Sequence, residues 1–129
     1  MGAREGAAPA VAVRPWEPAD LGAMTAIWNE VVREGRAFPQ TDELPDADAA
    51  TAFFGAQTRA AVAAGASGEV LGLYVLHPNN VGRCAHVANA SYAVAASARG
   101  RGIGRALVAD SLAALAPCGF RGLQFNAVV

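Results

Sequence analysis

The sequence predicts a single α/β domain, a mixed β-sheet flanked by helices, with elements in the order β-α-α-β-β-β-α-β. Three observations predict it. The 129 residues are 53% hydrophobic and 16% charged, enough apolar side chain for one core and too little chain for two domains. Apolar residues recur at helical spacing in some stretches and alternate in others, with glycine- and proline-rich turns between them. The last third reads strand, glycine-arginine loop, helix, strand, a crossover that is right-handed and joins parallel strands.

Residues 1–9 form a loose leader, and 10–129 form the domain. "AVAVRPW" (Ala10 to Trp16) alternates as a first strand. Pro18 and Asp20 then open a helix whose Leu21, Met24, Trp28, Val31 and Val32 make one buried face, and Gly35 ends it. "RAFPQTDELPD" (Arg36 to Asp46) is a loop, with Phe38 and Pro39 as candidate walls of a ligand pocket. Asp46 and Asp48 begin a second helix, about Ala47 to Gln57, with Phe53 and Phe54 turned inward; Trp16 and Trp28 belong to the same core. Thr58 to Ala64 is a strand, "GASG" a tight turn and "EVLGLYVLH" (Glu69 to His77) the returning strand of a hairpin. After the turn Pro78 to Arg83, "CAHVANASYAVAA" (Cys84 to Ala96) is a fourth strand. A helix runs from Gly102 to about Ala116, with Ile103, Leu107, Val108, Leu112 and Leu115 for packing, and Pro117 and Gly119 stop it. "FRGLQFNAVV" (Phe120 to Val129) is a fifth strand.

Net charge is −1, and all ten basic residues are arginine. The charge is unevenly spread. Residues 1–70 carry ten acidic and five basic residues, whereas residues 71–129 set Asp110 against five arginines. An anionic ligand therefore favours the second half. A pI near 6.1 argues against nucleic acid as a partner. Cys84 and Cys118 lack metal-ligand spacing and read as structural thiols of a reducing cytoplasm. Neither a signal peptide nor the run of about 18 apolar residues that a membrane span needs is legible, so no membrane partner is expected.

"ARGRGIGRALVADSL" (Ala98 to Leu112) places glycines and arginines at the mouth of the last helix. A dinucleotide fingerprint fails, because Arg105 stands where its third glycine belongs and no acidic residue follows about twenty positions later. A P-loop fails for want of lysine. What fits is Arg-x-x-Gly-x-Gly, formed by Arg99, Gly102 and Gly104. A helix N-terminus offers unpaired amides and a positive dipole end to a pyrophosphate. Glycines let the backbone approach its oxygens, and Arg99, Arg101 and Arg105 add charge-assisted hydrogen bonds.

This stretch resembles the acetyl-CoA-binding motif of the GCN5-related N-acetyltransferase (GNAT) superfamily, and the order of elements resembles that fold from Ala10 to Val129. "GRCAHVANASYAV" (Gly82 to Val94) and "FNAVV" (Phe125 to Val129) are similar to segments of acetyltransferases acting on proline analogues of the azetidine-2-carboxylate type. The resemblance implies acetyl transfer from acetyl-CoA to the amine of a small molecule, an amino acid or proline analogue, with no metal. It implies that coenzyme A inserts where the fourth and fifth strands splay. Its contacts would be Val94, Ala95 and Ala96, then Arg99, Gly100, Arg101, Gly102, Ile103, Gly104 and Arg105. A backbone N–H near Val94 would polarise the thioester oxygen. The substrate contacts would be Asn89 and Asn126.

The residues themselves agree in part. Asparagine is disfavoured inside apolar strands, and its amide donors suit a carboxylate; the alternative is that each asparagine satisfies backbone at a bulge. Ser91 alternates onto the face of Asn89, and Tyr92 faces the core. The base stays unassigned between water and a histidine: His86 has a suitable pKa range, and His77 precedes a proline at a turn. Relatives continue past the fifth strand into a helix that supplies a cofactor-binding Asn and a thiolate-protonating Tyr. The sequence stops at Val129, which reads as a truncation that leaves the loop whole and the catalytic machinery short, with a homodimer as one way to complete the sheet. A non-catalytic acyl-CoA-binding module and an arginine-glycine contact to nucleic acid are the competing readings.

Overall fold

The computed structural model describes residues 11–34, 43–78 and 87–127, with residues 124–127 described by their backbone. Five strands form one sheet in the order β1-β2-β3-β4-β5: β1 (Ala12–Pro15), β2 (Arg59–Ala64), β3 (Val70–Pro78), β4 (Val87–Val94) and β5 (Gly122–Ala127). The first four pair antiparallel, and β5 joins β4 in parallel. Among the described residues three α-helices accompany them: α1 (Leu21–Glu34), α2 (Ala47–Gly55) and α3 (Ile103–Ala114). The mixed sheet and the order β-α-α-β-β-β-α-β are those the sequence predicts.

Alternation along the strands divides the core in two. Tyr74, Leu76, Ala90, Tyr92 and Val94 face α3 and pack on Ile103 and Leu107. Leu73, Val75 and Ala93 face the other way, against Met24, Ile27, Trp28 and Val31 of α1 and Phe54 of α2. Both faces of β2 and β3 are covered, which is why these strands read as unbroken apolar runs. The helix starts follow from short polar residues. Asp46 accepts a 2.8 Å hydrogen bond from the Ala49 N–H as the N-cap of α2. Before α1, a 3₁₀ turn (Pro18–Asp20) buries Asp20. That carboxylate accepts from Arg14 at 2.7 and 2.9 Å and from the Glu17 N–H at 2.8 Å.

Packing corrects one expected contact. Leu112 does not join the core: it is 50% exposed. Ser111, four residues after Leu107, takes the buried position instead. Its hydroxyl donates to the Val108 carbonyl at 2.7 Å and lies 2.7 Å from the Tyr92 hydroxyl, leaving Tyr92 as donor. The ends of elements also move. Phe120 is a buried residue of the turn before β5 rather than its start, with its N–H bonded to the Leu115 carbonyl. Gly35, Phe38, Pro39, Cys84 and His86 lie outside the described residues. Among those described, no helix is long and apolar enough to cross a membrane.

Candidate functional site

The chain leaves β4 through a 3₁₀ turn (Ala96–Ala98) and enters α3 by way of two glycines in the left-handed region, Gly100 at φ 83° and Gly102 at φ 79°. Gly102 is the N-cap of α3, so the first amides of that helix have no partner within it. A Cβ on either glycine would meet nothing within 4 Å. Beside them lies an open cleft of about 510 Å³, lined by Val94, Arg99, Gly100, Gly102, Gly104 and Arg105, with Ala98, Ile103 and Val108 beneath. Arg101 is exposed and does not line the cleft; Arg105 is exposed and does.

Strand β4 runs beside this cleft, which Val94 lines. The β4–β5 ladder runs from Val87 and Gly122 to Ser91 and Ala127, with a register shift after Ala90. Beyond it, Tyr92, Ala93 and Val94 pair with Tyr74, Leu73 and Gly72 of β3 on the other side. The Ala95 N–H donates to the Leu71 carbonyl at 2.9 Å. Alternation then turns the amides of Tyr92 and Val94 away from β3, toward the β5 side. Ala95 and Ala96 do not line the cleft; with Glu30 and Arg33 of α1 they line a separate hollow.

Helix α1 grips this loop with two carboxylates. Glu30 accepts from the Ala96 N–H at 3.1 Å, and Glu34 accepts from Arg99 Nη2 at 2.8 Å. The hydrogen bond to Glu34 raises the Arg99 pKa above its ordinary value, and Arg99 Nε is buried without a partner.

Asn89 sits on the sheet face toward α1 and α2, two positions before Ser91, and its Oδ1 is buried with no hydrogen-bond partner. It pairs across β4–β5 with Gln124, not Asn126. Asn126 occupies the extra position of the register shift, between Phe125 and Ala127. The opposite neighbour of Asn89 is His77. That residue lies in β3, as the sequence predicts, and its Nδ1 is likewise buried and unpaired.

Residues 21–128 match the acetyltransferase (GNAT) family. The chain belongs to that family. A GCN5-related N-acetyltransferase from Kribbella flavida is 41% identical to this GNAT chain; the alignment covers 93% of this chain and 73% of that one, with a TM-score of 0.79. A phosphinothricin acetyltransferase from Sinorhizobium meliloti, solved in complex with AcCoA, is 26% identical over 89% of this chain and 64% of its own, with a TM-score of 0.80. N-acetyltransferase aca1 of Schizosaccharomyces pombe is 39% identical over 59 residues, which span 46% of this chain and 28% of that protein.

The loop and its glycines were legible from spacing within the GNAT sequence. The carboxylates of α1 were not, because nothing in a helical pattern tells which distant loop an exposed glutamate reaches. The strand position of His77 was legible as well, since it continues the alternation of Leu73 and Val75.

Proposed function

We propose that this GNAT-family chain transfers an acetyl group from acetyl-CoA to the amine of a small molecule, an amino acid or proline analogue. The observation that carries the reading is a convergence. The first amides of α3, which have no partner within that helix, the open space over Gly100 and Gly102, and the Val94 amide, turned away from β3, all border one region. Those features fit the cofactor's two parts. The loop from Arg99 to Arg105 presents N–H groups and arginines to a pyrophosphate. Val94, whose amide turns away from β3, offers a strand-edge hydrogen bond to the pantetheine arm or a donor to the thioester oxygen. Bound acetyl-CoA supplies the activated acetyl group.

On this reading Val94 and Gly104 shape the cleft, whose walls touch closely: a Cβ on Gly104 would lie 3.8 Å from Val94 Cγ2. Asn89 contributes a buried amide for the acceptor's carboxylate or amine, and Asn126 stands at the irregular position where the ladder ends. Alignment of amine and thioester supplies most of the acceleration.

The test is a thiol-release assay with acetyl-CoA and a panel of amino acids that includes L-azetidine-2-carboxylate and proline. Release of CoA with matching N-acetyl product, for at least one imino acid, is the expected result. Tight acetyl-CoA binding with no product from any amine would contradict the catalytic reading and leave a cofactor-binding module.

A further inference from the structure

The turn that carries the chain from β4 into α3 directs its backbone donors to different partners. The Ala95 N–H donates to the Leu71 carbonyl at 2.9 Å, the Ala98 N–H to the Ala95 carbonyl at 2.9 Å and the Arg99 N–H to the Ala96 carbonyl at 3.5 Å. Those bonds stay within the sheet and the turn. The Ala96 N–H instead reaches a side chain of a distant helix, donating to Glu30 Oε1 of α1 at 3.1 Å. One helical turn further along α1, Glu34 accepts from Arg99 Nη2 at 2.8 Å. A spacing of four residues puts both carboxylates on one face of the helix, so α1 holds the Ala96–Arg99 turn at both ends.

The two carboxylates hold different kinds of group. Glu34 occupies a guanidinium that lines the cleft. Glu30 occupies a backbone N–H on the far side of the turn: Glu30 and Ala96 both line the separate hollow against α1, with Arg33 and Ser97, and neither lines the cleft. We propose that Glu30 is a positioning residue for acetyl-CoA. It fixes the turn through Ala96, so that Gly100, Gly102 and the first amides of α3 stand in place for the pyrophosphate, and it does so without touching the cofactor. The inference rests on the acetyl-CoA reading above. It gives two carboxylates of one helix opposite effects, since Glu34 competes with the ligand and Glu30 prepares the turn for it.

The turn needs such support. Ala98 is anchored by burial in the core under α3. Ala96 is exposed and has only a methyl group, so the bond to Glu30 is what ties it down. Beyond it, Gly100 and Gly102 have open space where a Cβ would stand, and glycine has more backbone freedom to lose than any other residue. A turn already held in its binding conformation loses less freedom when the ligand arrives, which raises affinity. Charge acts in the other direction, because a carboxylate near the loop repels an incoming anion. Two substitutions separate these effects. Glutamine removes the charge and keeps an acceptor oxygen for the Ala96 N–H; alanine removes both and favours the helix. The difference between them is the hydrogen bond.

The experiment is calorimetric titration of acetyl-CoA into the wild-type chain, Glu30→Gln and Glu30→Ala in about 0.15 M salt. Glu30→Gln is expected to bind within about twofold of wild type, and Glu30→Ala about three- to tenfold more weakly than Glu30→Gln, the worth of one hydrogen bond. Equal affinity in the two variants would overturn the proposal. So would tighter binding in both than in wild type, which would make Glu30 a competitor like Glu34. Urea unfolding exposes a merely structural role: a Glu30→Ala chain with a lower midpoint and the affinity of Glu30→Gln has lost stability alone, and that result also overturns the proposal. Amide hydrogen exchange in the wild-type chain decides the matter if Glu30→Ala does not fold. The Ala96 N–H is expected to exchange no faster with acetyl-CoA bound than without it, because a positioning bond persists in the loaded state; faster exchange on binding excludes the role. Folded wild-type chain that does not bind acetyl-CoA counts against the acetyl-CoA reading itself and removes this inference with it.

Discussion

A Cβ on Gly72 would lie 2.9 Å from the Ala93 carbonyl oxygen, 3.1 Å from Ile103 Cγ2 and 3.2 Å from Leu107 Cδ1. The absence of a side chain there lets α3 rest directly on the sheet beside the cleft. The obstructing oxygen is backbone and cannot swing away, so Gly72→Ala is expected to cost about 1–3 kcal/mol, read as a lower midpoint in urea unfolding. Asp20 gives a pH-dependent counterpart. Its hydrogen bonds from Arg14, more than its burial, hold its pKa below the usual carboxylate value. A carboxylate depressed on folding contributes stability that is complete above its unfolded pKa, about 3.9, and is lost as pH falls through the folded value. Asp20→Asn should therefore be less stable than wild type at pH 7, and the two should converge near pH 2. A constant gap across that range would show that Asp20 acts by shape rather than charge. At this scale the sequence is a partial guide. Asp20 was legible as a helix-start residue; Gly72 looked like any glycine in a strand, because only the crossing of α3 gives its missing side chain a purpose.

Helix α3 is both a core element and the floor of the cleft, and polar links fix its position. Arg59 Nε donates to the Tyr74 hydroxyl at 2.7 Å, Arg59 Nη2 lies 3.0 Å from Asp110, and Tyr74 donates to Asp110 as well. Asp110→Ala removes the shared acceptor and should cost about 2 kcal/mol, measured by thermal or urea unfolding. Acetyl-CoA affinity should stay within about twofold, since Asp110 does not line the cleft. Helix α1 acts on the other side. Glu34 holds Arg99 through a partly exposed pair, 2.8 Å long, and on the proposed reading a pyrophosphate would compete for the same guanidinium. Glu34→Gln is therefore expected to tighten acetyl-CoA binding by about two- to fivefold at low ionic strength, with the gain fading in high salt; weaker binding would show that Glu34 instead orients Arg99. Periodicity located every one of these elements, because core-facing residues repeat at 3.6 or 2 positions. It failed at their ends and at Leu112, where a buried Tyr92–Ser111 hydrogen bond claims the position that hydrophobicity alone would assign to leucine.

Across the whole molecule, the acidic first half and basic second half of the sequence become two sides of one site. Carboxylates of α1 reach across to the arginine-bearing loop at the head of α3. The glycine-arginine spacing was legible from sequence because local backbone geometry sets it. The pairing of His77 with Asn89 was not, because strand register brings them together across a dozen residues of chain. The central claim is that the turn into α3 holds the pyrophosphate of acetyl-CoA, and calorimetric titration of three folded proteins tests it most directly. A Cβ on Gly102 meets nothing within 4 Å, so Gly102→Ala adds the strain of a positive φ alone, whereas Gly102→Glu adds bulk and negative charge. Micromolar binding by wild type, a modest loss in Gly102→Ala and loss of about 100-fold or more in Gly102→Glu, equal to about 2.7 kcal/mol, is the predicted result. Equal acetyl-CoA affinity in wild type and Gly102→Glu would contradict the account.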